Sequence, residues 1–188
     1  MFIQTEETPN PNSLKFIPDG ILVVENGTAN FKSKEQALQS PLAEELFKIE
    51  GISSVFFGHD FITVTKADAT EWRVIKTEIL ATIMDFFVAE KKVMRDATPL
   101  TESTLDDNDS DIVKQIKELI EIKVRPAVAM DGGDIIYRGF EEGIVKLELK
   151  GSCSGCPSST ITLKNGIENM LKHYIPEVVA VEQVSDYE

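Results

Sequence analysis

The chain has two cysteines in 188 residues, three positions apart, in the run Gly151-Ser152-Cys153-Ser154-Gly155-Cys156-Pro157. A disulfide across so short a loop would restrict little of the unfolded chain. The spacing points instead to metal ligation or thiol redox chemistry in a reducing compartment. Pro157 suits the first turn of a helix, where a missing N–H costs nothing, and the residues before Gly151 read as a strand. Both sulfurs would then lie near the positive end of a helix, which lowers a thiol's pKa and favours the metal-binding thiolate. Ser154 and Gly155 are small enough for the loop to wrap a metal. Ser152, Ser158, Ser159 and Thr160 could donate to sulfur or cap the helix.

Two thiolates make half of a closed zinc or iron–sulfur site, which commonly needs four ligands. His173 would stand near the far end of the following helix, roughly 24 Å along its axis at 1.5 Å per residue. His59 falls in a distant hairpin. The simplest completion is a second copy of the chain, and a cluster shared in this way is readily released, because dissociation removes half its ligands. Four readings stay open on these grounds: a shared iron–sulfur cluster, a thiol–disulfide pair, a zinc-stabilised interaction module completed by another chain, and an incidental pair. Thioredoxin-like sites also place Cys-x-x-Cys between strand and helix, but they need a longer βαβ framework than the residues after this helix provide.

Composition narrows the rest. With 19 basic and 32 acidic residues the formal net charge is −13, which disfavours nucleic acid and anionic membrane surfaces as partners. No apolar run approaches the roughly 20 residues a spanning helix needs. The first residues, Met1-Phe2-Ile3-Gln4-Thr5-Glu6-Glu7, resemble neither a signal nor a transit peptide. The expected location is the cytoplasm, or the mitochondrial matrix for a processed organellar form.

The elements that must position the cysteines follow from periodicity. The fold expected is α+β: two small domains, residues 1–88 and 110–188, joined by a flexible acidic linker over 89–109, where Ala97 to Asp109 is polar and without apolar period. In the first domain, Phe2–Thr5, Leu14–Ile17 and Ile21–Val24 are short apolar runs. Ser40-Pro41 opens a capped helix, and Val55–Phe57 and Phe61–Val64 form a hairpin about Gly58-His59-Asp60. Trp72, Ile75, Ile79, Ile83 and Phe86 mark a long helix. The second domain reads α-β-β-α-β. Its first helix, from Ile112, should end at or near Pro126. Strands follow at Ile135–Tyr137 and Ile144–Leu149, then a helix over Ile161–Tyr174 and a strand at Val178–Val181. Asp131-Gly132-Gly133-Asp134 is expected as a tight turn with positive φ at its glycines, whose carboxylates could support the site from outside. His59 is expected as a turn residue, His173 as a residue at a helix C-terminus, and Trp72, Phe56 and Phe57 as core.

Val124-Arg125-Pro126, Met130-Asp131-Gly132-Gly133-Asp134, Gly151 to Ser159, Leu163 and Gly166-Ile167-Glu168 resemble the C-terminal domain of NifU-type proteins, the Nfu family. The resemblance continues in the first half, in Gln4-Thr5-Glu6, Thr8-Pro9-Asn10-Pro11-Asn12, Leu14-Lys15-Phe16, Ser40 to Ala43, Leu46-Phe47, Gly51-Ile52, Val55 to Phe57 and Asp60 to Val64. It implies a non-enzymatic scaffold or carrier. Such a protein holds a labile 4Fe–4S cluster, in some members 2Fe–2S, between the subunits of a homodimer formed on cluster binding. It would receive the cluster from upstream assembly proteins and pass it to apo iron–sulfur proteins. Cys153 and Cys156 align with the family's cluster-binding cysteines, and no catalytic residue is implied.

Overall fold

A computed structural model describes residues 2–95, 109–154 and 157–184, the side chains of residues 157–160 apart. The chain divides into two compact units, Met1–Glu102 and Ser103–Glu188.

The first unit is built on a five-stranded antiparallel sheet. Its strands are β1 (Ile3–Glu7), β2 (Ser13–Pro18), β3 (Ala29–Phe31), β4 (Ile52–Phe57) and β5 (Ile62–Lys66), in the order β1-β2-β5-β4-β3. Helices α1 (Lys34–Ala37), α2 (Pro41–Leu46) and α3 (Trp72–Val88) supply the apolar cover. Phe16, Phe57, Leu42, Leu46, Ile62, Ile79 and Ile83 meet in one fully buried cluster. Successive strand residues face opposite ways. Phe57 therefore enters this cluster, while the equally buried Phe56 lies outside it against Phe61, with ring centroids 5.9 Å apart. Trp72 packs on the cluster from the start of α3, and its indole N–H donates to the Pro11 carbonyl at 3.0 Å.

Ile21–Val24 forms no strand. Val23 and Val24 are buried, and their N–H groups donate to the His59 carbonyl at 2.8 and 3.3 Å. His59 is thus more than a turn residue. Its Nδ1 also lies 3.0 Å from the Val24 carbonyl, so the hairpin tip fastens the loop. The start of the expected linker is likewise tied down. Val93 and Met94 pack on the core, and Arg95 reaches the Leu38 carbonyl and the Glu44 carboxylate. Residues 96–108 lie outside the described residues.

The second unit has the α-β-β-α-β order. Its elements are α4 (Asp111–Leu119), a π-helical turn (Ile120–Val124), α5 (Arg125–Met130), β6 (Gly133–Glu141), β7 (Ile144–Gly151), α6 (Pro157–Tyr174) and β8 (Ala180–Gln183). The sheet order is β6-β7-β8, antiparallel then parallel, the parallel step being bridged by α6. Two expectations are corrected. Pro126 does not end the first helix: it is the second residue of α5, and helix continues to Met130. Proline lacks an N–H and its ring crowds the carbonyl four residues back, here Ile122. The wider π-turn directly before it absorbs both effects. The last strand begins two residues later than expected, because Val178 is buried in the core before the chain reaches the sheet edge.

The β6–β7 turn needs backbone that ordinary residues avoid. Glu142 and Gly143 both have positive φ, 51° and 81°, as a two-residue hairpin whose twist matches its strands demands. Val145, Leu147 and Leu149 face a core shared with Ile116, Ile120, Val124, Ile167 and Leu171. The alternate β7 residues Lys146, Glu148 and Lys150 carry ion pairs instead.

Ser40 caps α2 by accepting from the Ala43 N–H at 3.1 Å, and its hydroxyl donates to the Val93 carbonyl at 2.5 Å. Ser40→Ala is expected to lower the first unit's stability by about 1–2 kcal/mol, read by urea denaturation. Glu168 accepts from the Lys172 ammonium and from the Val181 N–H of β8, and these bonds lower its pKa below the ordinary carboxylate value. The stability it contributes is present above the unfolded-state value and is lost as pH falls through the depressed native one. Glu168→Gln should therefore lower stability at neutral pH, converge on the wild-type value in acid, and so flatten the acid limb of stability against pH.

Candidate functional site

The site is assembled where β6 begins and β7 ends. Gly133 and Gly151 are cross-strand partners, so the Asp131–Asp134 turn and the Gly151–Ser154 loop lie side by side although 20 residues separate them in sequence. Gly151 at φ +68° turns the chain out of β7, and Gly132 at φ +80° turns it into β6. Only the first of the two adjacent turn glycines has the positive φ expected of both. Gly133 is required for space: a Cβ there would stand 2.6 Å from the Lys150 carbonyl and 2.9 Å from the Cys153 sulfur.

Cys153 is 6% exposed and belongs to the second unit's apolar cluster. Its predecessor holds it to the turn. The Ser152 N–H donates to the Gly132 carbonyl at 3.2 Å, and the Ser152 hydroxyl donates to the Asp131 carbonyl. The Ser152 oxygen is 3.8 Å from the Cys153 sulfur, but its close partner is the Asp131 carbonyl. Ser154 closes the loop, its N–H and hydroxyl both meeting the Gly151 carbonyl, at 3.1 and 3.0 Å. The helix α6 opens at Pro157, as the sequence leads one to expect. Cys156 and the side chains of Ser158, Ser159 and Thr160 lie outside the described residues.

The other candidates fall away from this loop. His173 is exposed in the last turn of α6, its ring edge-on to Tyr174 at 5.0 Å. His59 belongs to the first unit. Among the described residues, no three His, Cys, Asp or Glu side chains gather as a metal site. The Asp134 carboxylate is 4% exposed and engaged: Arg125 Nε and Nη2 donate to its two oxygens at 2.9 and 3.1 Å, and the Ile135 N–H donates at 2.8 Å. Arg125 also donates to Glu121 at 2.8 Å. Hydrogen bonding to Asp134 is the main reason the Arg125 guanidinium is held charged even more firmly than usual, against the opposing effect of burial. In the sequence Arg125 is a cation nine residues ahead of Asp134, and nothing local in the residue pattern says that the two meet.

A single soft ligand in a glycine-floored cradle, with a second thiol three residues on in sequence, has the donor chemistry for a thiophilic metal or an iron–sulfur cluster. Gly133→Ala should destabilise the second unit by about 1–3 kcal/mol and raise the rate of Cys153 alkylation, since the added methyl displaces either the strand or the sulfur. Thermal melting and thiol-labelling mass spectrometry check the two effects separately.

Among the described residues no helix is long and apolar enough to cross a membrane. Residues 3–91 match the family described as "Scaffold protein Nfu/NifU N terminal", and residues 116–182 match the "NifU-like domain" family. The chain is similar to the human protein named NFU1 iron-sulfur cluster scaffold homolog, mitochondrial, at 57% identity over the whole of this chain and 74% of that protein. The Drosophila ananassae protein of the same name is 51% identical over 99% of this chain and 65% of its own length. This chain thus spans between about two thirds and three quarters of these relatives. A solution structure of a NifU-like protein from Saccharomyces cerevisiae aligns with a TM-score of 0.45 at 28% identity, over 50% of this chain and 85% of that one. With both units matched, and close relatives spanning nearly all of it, the chain belongs to the Nfu/NifU scaffold protein family.

Proposed function

We propose that this chain is a non-enzymatic carrier that holds a 4Fe–4S cluster as cargo between two copies of itself. The ligands would be Cys153 and Cys156 of each copy, and the cluster would pass to apo iron–sulfur proteins after delivery by upstream assembly proteins. The observation that carries the reading is the seat of Cys153. It is cradled by Gly133 at the strand-to-helix loop, and no further ligand cluster stands among the described residues. One chain offers two thiols in all, so a four-thiolate site needs a second chain. The relatives' name as iron–sulfur cluster scaffold homologues supports the carrier role, and their designation as mitochondrial supports the organellar location over the cytoplasmic one.

What the chain's own residues would contribute is placement. Gly133 leaves room for the Cys153 sulfur, Ser152 holds the loop to the turn, and α6, which begins four residues after Cys153, has the positive end that would favour thiolate. Release would follow from parting of the two copies.

Anaerobic reconstitution with ferrous iron and sulfide should yield a coloured species with about two chains per four irons. Native mass spectrometry and Mössbauer spectroscopy give the stoichiometry and cluster type. Cys153→Ser should abolish it without unfolding the second unit. A folded wild-type chain that binds no cluster, or that turns over a disulfide substrate instead, defeats the proposal.

A further inference from the structure

The buried ion pair beside the site is the feature that the carrier reading leaves unused. Asp134 is 4% exposed on β6, one residue after the glycine that floors Cys153. Arg125 opens α5 and grips both oxygens of Asp134, while its remaining nitrogen reaches Glu121 across the π-turn. The pair therefore closes a ring of ten residues, 125 to 134, around the end of α5 and the Asp131-Gly132 turn. Two carbonyls of that turn, Asp131 and Gly132, are the acceptors that fix Ser152, and its last glycine is the surface on which the Cys153 sulfur rests.

We propose that Arg125, through Asp134, is a positioning residue for Cys153. By locking the turn it sets how well the thiol is shielded in the cluster-free chain, and how firmly a cluster is held once loaded. Lysine cannot replace it, because a point charge does not reproduce a planar two-point hold on a carboxylate. Arginine is needed at this place because the two carboxylate oxygens are tied at once from a helix start, at a distance that also lets Glu121 share the guanidinium. The shielding half of the proposal stands on geometry alone. The cluster half rests on the carrier reading.

The test uses the full chain, reduced and cluster-free, with iodoacetamide as probe and peptide mass spectrometry to resolve Cys153. Arg125→Lys should raise the Cys153 alkylation rate about tenfold, the factor expected when one charge-assisted hydrogen bond no longer opposes local opening. Asp134→Asn, which keeps the shape of the side chain, serves as the second variant should Arg125→Lys fold poorly. Ile116→Val, a fully buried trim in the same core, is the control for general loosening. The variants are compared at equal distance below their own melting temperatures. Faster Cys153 labelling in the Arg125 and Asp134 variants than in the control supports the proposal, and equal labelling overturns it. In a second arm, reconstituted chain is exposed to an iron chelator. Arg125→Lys should shorten the cluster's half-life by about tenfold, as removal of groups supporting metal ligands commonly does. An unchanged half-life overturns the cluster half. If no variant, wild type included, loads a cluster, the carrier reading fails, while the labelling result still decides the positioning role.

Discussion

Everything in the second unit that bears on chemistry depends on one close approach. At Gly133 the backbone of β6 comes so near the Lys150 carbonyl and the Cys153 sulfur that no side chain fits between them. This contact lets the end of β7 fold back over the start of β6, seats Ser152 on the turn carbonyls, and keeps the first thiol shielded at the edge of the core. The demand is different from the usual one made of glycine. The backbone at Gly132 and Gly151 needs positive φ, whereas Gly133 is in a strand and is there for what it lacks.

The sheet of this unit separates its duties by face. One side is apolar and packs with the π-interrupted helix and with α6. The alternate residues bear charges, and the most buried of them, Asp134 and Glu148, are each met by cations: Asp134 by Arg125, Glu148 by Arg138 and Lys150. Buried carboxylates cost desolvation that a partner only partly offsets, so such pairs are a weak source of stability. Their value lies in fixing where backbone segments meet, here the turn before β6 and the loop after β7.

The first unit has no comparable chemistry among its described residues. Its strands enclose an aromatic and aliphatic core, and its loops are fastened by polar contacts: Trp72 to Pro11, His59 to Val23 and Val24, Ser40 to Val93. Its presence in the same chain as the cysteine loop accords with the paired family matches over residues 3–91 and 116–182.

By itself the sequence determined the chemistry on offer and its insufficiency: two thiols, three apart, at the mouth of a helix opened by proline, with no histidine on that helix close enough to complete a site. It also determined the long elements, because the apolar periods of α3 and the alternation of β7 are local properties that survive without knowledge of the partner surface. Short or irregular pieces escaped it. Ala29–Phe31 is a strand only because β4 lies beside it, and Pro126 stays helical only because a π-turn precedes it. The tertiary structure alone decided that Gly133 lies under Cys153 and that Arg125 grips Asp134. Both depend on how the β6–β7 hairpin sets its register and how α5 packs back on it. The Glu142-Gly143 turn fixes the hairpin's register near its tip. But the shift between Tyr137 and Gly139 that sets Gly133 opposite Gly151, and the packing of α5 on β6, relate residues far apart in the chain and are not legible in local residue types.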